Sequence, residues 1–297
     1  MKKILYIIFL LSFLSIAEIK ADTLIQIKPL FEYPVAPDEM ESLSDKCDYL
    51  VKHFWDNFNF KQKNPVDQYA LNEAFSVFVT SIRYASKKEV DQSIDKMLGK
   101  LASNPALLYQ FTKAAEENLY GPRADIWNDE IYLKFVDALL KNKKISEKRK
   151  EKYIKQAVSL RESNIGNIAP AFEFTDLNGE TKNYFPMSTP TVLIFGNPED
   201  TDWRLARLKI ESNFKLEDAI KKGKINVLFI IPFDAEGWQN SVSNYNSYWT
   251  VGQSKSVADK YDTRVYPSIY IVGPEGKILK KMVSVEDSIE AALSLVN

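Results

Sequence analysis

The hydrophobic pattern of the chain changes period near Asn164, and that change restricts it to two unlike folding units. Over residues 37–163 apolar side chains recur every three or four positions, the spacing of one buried helical face. Leu43, Cys47, Leu50, Val51, Phe54, Trp55 and Phe58 form the first stripe, and Leu71, Phe75, Phe78 and Ile82 the second. Helical segments follow around 90–101, 105–119 and 126–140, and a basic helix around 146–160 closes this half. Asn64-Pro65, Asn104-Pro105 and Gly121-Pro122 break the pattern where one helix must give way to the next. Residues 36–163 are therefore predicted to form an all-helical domain of five or six helices.

Beyond Asn164 short apolar runs alternate with helical stretches. The runs at 171–175, 191–195, 225–231, 268–272 and 278–283 read as strands. Helices are predicted at about 200–222, 254–260 and 285–295. Asn178-Gly179 sits in a hairpin-like position, and Pro274-Glu275-Gly276 joins the last two strands. This order defines an α/β sandwich with a mixed central sheet over residues 169–297, so the fold class is α + α/β. The segment SNIGNIAPAF is the expected linker.

The first 21 residues have two lysines, an apolar run from Ile4 to Ala17, and small residues at Ser15, Ala17 and Ala21. That is the pattern of a secretory signal peptide, residues 1–21, with cleavage after Ala17 or Ala21. The apolar run is shorter than the roughly 20 residues of a spanning helix, so no membrane span is expected after cleavage. Export to the periplasm follows, with release to the exterior the remaining alternative. With 39 basic and 40 acidic residues the net charge is close to neutral, which argues against a nucleic-acid surface. The sole cysteine, Cys47, rules out an intramolecular disulfide.

Three segments of the second half, APAFEFTDLNGE (169–180), FGNPED (195–200) and TRVYPSIYIVGPEGKI (263–278), resemble the extracytoplasmic thioredoxin-like family. HFWDNFNF (53–60), ENLYGPRADIWNDEIYLKFVDALL (117–140) and FDAEGWQ (233–239) are similar to secreted Gram-negative proteins in which a helical domain of unknown function precedes such a domain. The resemblance implies that Pro267 is the cis-proline facing the active-site turn. In the strand, turn and helix of 191–210, the two sulfur positions of a Cys-x-x-Cys motif fall on Asp200 and Trp203. Disulfide exchange needs a thiolate to attack and a second thiol to resolve the mixed disulfide, which neither a carboxylate nor an indole supplies. Dithiol oxidoreductase activity is excluded at this position.

The face that remains, Pro198, Asp200, Trp203, Tyr266 and Pro267, has the composition of a binding surface for a peptide or an apolar ligand, with a protein or extended peptide the expected partner. Trp203 either stands on that face or turns inward to fill the volume of the missing sulfur. Glu199, Asp200 and Asp202 read as first-turn acids, with Asp200 or Thr201 as N-cap, rather than as metal ligands. Cys47 lies on the apolar stripe and reads as a small buried hydrophobe. The single histidine, His53, falls on the polar side of its helix. Tyr245, Tyr248, Trp249 and Trp238 form an aromatic cluster expected at the edge of a core. The function expected is a noncatalytic binding module without cofactor or metal. The alternative is a thiol-disulfide oxidoreductase-type role in cell-envelope redox homeostasis, through partner thiols or Cys47. Ligand, oligomeric state and the work of the helical domain stay open.

Overall fold

Five polar residues each stand one position before a helix and accept a hydrogen bond from an amide of its first turn. Ser42 starts α1 (Leu43–His53), Asp67 α2 (Gln68–Ile82), Ser86 α3 (Lys87–Leu101), Asn104 α4 (Pro105–Leu119) and Asn128 α5 (Asp129–Lys141). Each such cap contributes about 1 kcal/mol, which is why the helices begin where they do. A sixth helix, α6 (Glu147–Glu162), follows without a side-chain cap. The computed structural model describes residues 29–186 and 189–296, so the predicted signal segment lies outside the described residues.

The first helix ends earlier than its apolar stripe. Beyond His53 the chain continues in turns, with Asp56 N–H bonded to His53 O and Phe58 N–H to Trp55 O. Three-residue turns preserve a three-residue spacing, so Phe54, Trp55 and Phe58 are still buried. They join Phe75, Phe78, Phe111 and Phe135 in an aromatic core where neighbouring rings meet edge-on or tilted, as Trp55 and Phe111 do at 5.0 Å.

The second half forms one seven-stranded mixed sheet in the order β2-β1-β5-β4-β3-β6-β7. Its strands are β1 (Phe172–Asp176), β2 (Thr181–Tyr184), β3 (Thr191–Phe195), β4 (Asn226–Ile231), β5 (Thr250–Gln253), β6 (Ser268–Val272) and β7 (Ile278–Lys281). β3 is parallel to β4 and antiparallel to β6. Val192, Ile194, Phe229 and Ile231 point to one face, under α7 (Thr201–Glu211), α8 (Phe214–Lys221) and α10 (Val285–Ser294). Leu193, Phe195, Leu228 and Ile230 point to the other, with Val257 and Tyr261. A short helix, α9 (Trp238–Ser241), lies between β4 and β5.

The short helix α9 is one departure from the sequence expectation, and others lie in the strands, helices and linker. β2 and β5 are additional strands, short and without a clean apolar alternation, and pairing rather than pattern defines them. The predicted 200–222 helix is two, because Asn213 caps a new start by accepting from Leu216 N–H at 3.0 Å. The stretch Lys255–Asp259 is a 3-10 helix instead of an α-helix. The expected linker is strapped to the first residue of β7 and the turn before it, with Gly166 N–H bonded to Ile278 O, Ile278 N–H to Asn167 O and Ala169 N–H to Gly276 O, each at 2.8 Å.

The two halves meet through buried polar groups. Ser163, at the end of α6, accepts from Asp262 N–H at 3.1 Å and lies 3.3 Å from the Tyr270 hydroxyl, which donates to Asp262 O. Beside them Arg264 joins Asp262 to Asp129 of α5, and Lys281 joins Asp129 from the other side. Burial pushes the Asp129 carboxyl up, but the charges of Arg264 and Lys281 outweigh it and hold the carboxyl below the usual range. A depressed carboxylate contributes stability above its unfolded pKa of about 3.9 and loses it as pH falls through the lower, folded value. The contact between the halves is therefore expected to loosen below about pH 4 in wild type and to lose that dependence in Asp129→Asn, measured by limited proteolysis across 163–172.

Candidate functional site

β3 ends at Phe195 and passes into Gly196, whose N–H donates to Ile230 O at 3.2 Å. The chain then turns through 197–200, with Glu199 N–H bonded to Asn197 Oδ1 at 3.1 Å and Asp200 N–H to Asn197 O at 3.0 Å. A Cβ on Gly196 would lie 2.5 Å from Cε3 of Trp203, so the close approach of that indole requires glycine here. Trp203 is fully buried at 0 % exposure. Its Nε1–H donates to the Tyr245 hydroxyl at 2.6 Å, and its ring meets Phe229 edge-on at 5.2 Å. The Arg207 guanidinium lies 5.1 Å from the Tyr245 ring. Burial raises the Tyr245 pKa, which keeps the phenol neutral.

These contacts correct the expected binding face. Trp203 turns inward because its ring finds an apolar slot and its N–H a partner there, and Pro198 is buried as well. Asp200 precedes α7 but does not cap it with its side chain, which accepts from Asn197 Nδ2 at 3.4 Å instead. Tyr266 and Pro267 remain at the surface, joined by a cis peptide bond, with Tyr266 36 % exposed. Burial and then the charge of Asp200 raise the Tyr266 pKa, so it too is a neutral phenol.

A groove of about 260 Å³ opens beside Pro267. Asp202 and Leu205 of α7 form one wall, Pro267 and Ile269 the floor, and Val283, just before α10, and Val285, its first residue, the other wall. Sequence reasoning missed Leu205, Ile269, Val283 and Val285, and only for Leu205 did the chain carry a signal. The signal was present in α7: Trp203, Ala206 and Ile210 make its buried stripe, while Leu205 and Leu208 are apolar residues left outside it.

The other candidates fall elsewhere. Cys47 is buried in α1, and burial followed by the charge of Asp48 raises its thiol pKa. His53 ends α1 half-exposed, with Nδ1 2.9 Å from Asp56 Oδ2. Trp238 and Trp249 are buried and Tyr245 is half-buried at the edge of the sheet core, while Tyr248 is exposed. Glu199 accepts from Ser241 Oγ at 2.6 Å. Among the described residues no group of three or more His, Cys, Asp or Glu side chains could hold a metal ion.

The mixed sheet, the β3-turn-α7 unit and cis-Pro267 opposite it define a thioredoxin-like fold carrying a helical N-terminal region. The chain belongs to the family described as Domain of unknown function (DUF5106), which matches residues 15–163. A crystal structure of a thioredoxin-like protein from Bacteroides caccae is similar over 90 % of this chain and 99 % of its own, with 21 % identity and a TM-score of 0.68. The thioredoxin domain of a thiol-disulfide oxidoreductase from Bacteroides vulgatus is 23 % identical over 45 % of this chain and 99 % of its own, with a TM-score of 0.39. A conserved protein of unknown function from Bacteroides fragilis is 23 % identical over 43 % of this chain and 98 % of its own, with a TM-score of 0.41. No curated protein matches.

Trp203→Ala is expected to cost about 3–5 kcal/mol, the range for emptying a buried aromatic site. Gly196→Ala, which drives a methyl into the same ring, should cost about 1–3 kcal/mol. Urea denaturation measures both.

Proposed function

We propose that this is an exported, noncatalytic module that binds extended polypeptide in the groove beside Pro267. The observation that carries this reading is that the groove stays open while both would-be thiol positions are closed, Asp200 by a carboxylate and Trp203 by a buried indole. Leu205, Val283 and Val285 offer contacts to an apolar side chain, and Asp202, Lys209 and Ser284 place polar groups among them. Neither the N–H nor the carbonyl of Tyr266 has a hydrogen-bond partner among the described residues. Those free groups suit backbone pairing with an extended chain, which gives affinity without sequence dependence.

Redox inactivity belongs to the same reading. The one thiol in the sequence is buried, with a raised pKa, so it is a poor nucleophile at neutral pH. The basic, apolar and small-residue succession of 1–21 supports export and a periplasmic address. Among the described residues no helix is long and apolar enough to cross a membrane.

Reduced, carboxymethylated α-lactalbumin, an unfolded chain without free thiols, is a direct probe. Wild type should bind it, and Leu205→Asp and Tyr266→Ala should each weaken binding about tenfold, the scale of a truncated contact at the centre of an interface. Cys47→Ser should bind as wild type does, and neither protein should accelerate insulin reduction by dithiothreitol. Absence of binding, or its loss in Cys47→Ser alone, would overturn the reading.

A further inference from the structure

Two loops frame the groove. One, 263–267, leads into Pro267; the other, 282–285, carries Val283 and Val285. Both are tied to the same carboxylate of the helical half. Asp129 Oδ1 accepts from Arg264 Nη2 at 2.7 Å, three residues before Pro267, and Oδ2 accepts from Lys281 Nζ at 2.7 Å, two residues before Val283. Arg264 has little freedom to choose another orientation. Its Nε donates to Asp262 at 2.8 Å and its Nη1 to Tyr120 O at 3.3 Å, and its guanidinium lies 4.0 Å from the Tyr120 ring and 5.3 Å from the Trp127 ring. The side chain is 3 % exposed and Lys281 is 13 % exposed, so both cations depend on these partners for neutralisation. Between Lys281 and Val283, Met282 takes φ 52°, a left-handed conformation that a non-glycine residue adopts only where its surroundings hold it.

We propose that Asp129 is a positioning residue for the groove, and that through it the helical half sets the spacing of the two groove loops. The inference rests on the peptide-binding reading of that groove. Without the Asp129 charge, Arg264 keeps Asp262, but Lys281 is left a nearly buried ammonium without a counterion. Its least costly response is to move toward water, and Met282 and Val283 move with it. Linkage makes the effect reciprocal: polypeptide that prefers the set spacing must strengthen the docking of the helical half on the loops.

The full-length protein is tested as Asp129→Asn, Asp129→Glu and Lys281→Met, by hydrogen exchange across 262–267 and 281–288 and by titration with reduced, carboxymethylated α-lactalbumin. Asp129→Asn is expected to raise exchange in both segments while β3 and β4 keep theirs, and to weaken the probe about tenfold. Asp129→Glu, which retains the charge, should recover most of both effects. Lys281→Met, which removes one arm only, should loosen 281–288 alone and supplies the test should Asp129→Asn fail to fold. Unchanged exchange in both segments, or an increase shared equally by β3 and β4, overturns the proposal. So does equal probe affinity in wild type and Asp129→Asn when the loops have loosened. Loosened loops together with a wild type that binds no probe uphold the positioning and overturn the peptide-binding reading instead.

Discussion

The arrangement of the site depends on the burial of one indole. Trp203 stands in the first turn of α7, and with its ring against Gly196 and Phe229 it fixes the rotation of that helix about its axis. With Trp203, Ala206 and Ile210 turned to the sheet, the 3.6-residue repeat sends Asp202, Leu205 and Leu208 outward. The groove wall is therefore a consequence of where the tryptophan goes. The same ring closes the space between β3 and α7, and it draws Tyr245 from the β4–β5 connection into the site through the Nε1–H bond.

Much of the fold could be read from the chain because it is carried by local signals. Proline-bearing breaks between apolar stripes, Asn178-Gly179 in the β1–β2 hairpin, and continuous apolar runs in β3, β4 and β6 each declare themselves within a few residues. The elements that did not, β2 and β5, owe their existence to partners distant in sequence. β5, for example, is held between β1 and β4. For the site, the position of the turn and the place of Tyr266 and Pro267 were legible. The orientation of Trp203 was not, since an indole at the start of a helix fits a surface and a core equally well until the slot at Gly196 is known. Arg264 was the least legible of all. It lies in a loop with no periodicity, and its partners Asp129 and Tyr120 are more than a hundred residues earlier.

That remoteness bears on what the buried charges are for. An ion cluster under a domain contact is an inefficient source of stability, because desolvating each ion offsets most of the attraction it gains. Apolar side chains of similar size would join the two halves as well, yet they would tolerate small slides and rotations. A guanidinium gripped by Asp262, Asp129 and a backbone carbonyl, with an aromatic ring against its face, permits one arrangement and penalises its neighbours. The cluster is placed where orientation matters most, at the base of both loops beside Pro267, while the strap of 166–169 at the start of β7 uses ordinary backbone pairing. The distribution of interactions separates two tasks: backbone hydrogen bonds tether the halves, and directional charge sets how one half presents the groove of the other.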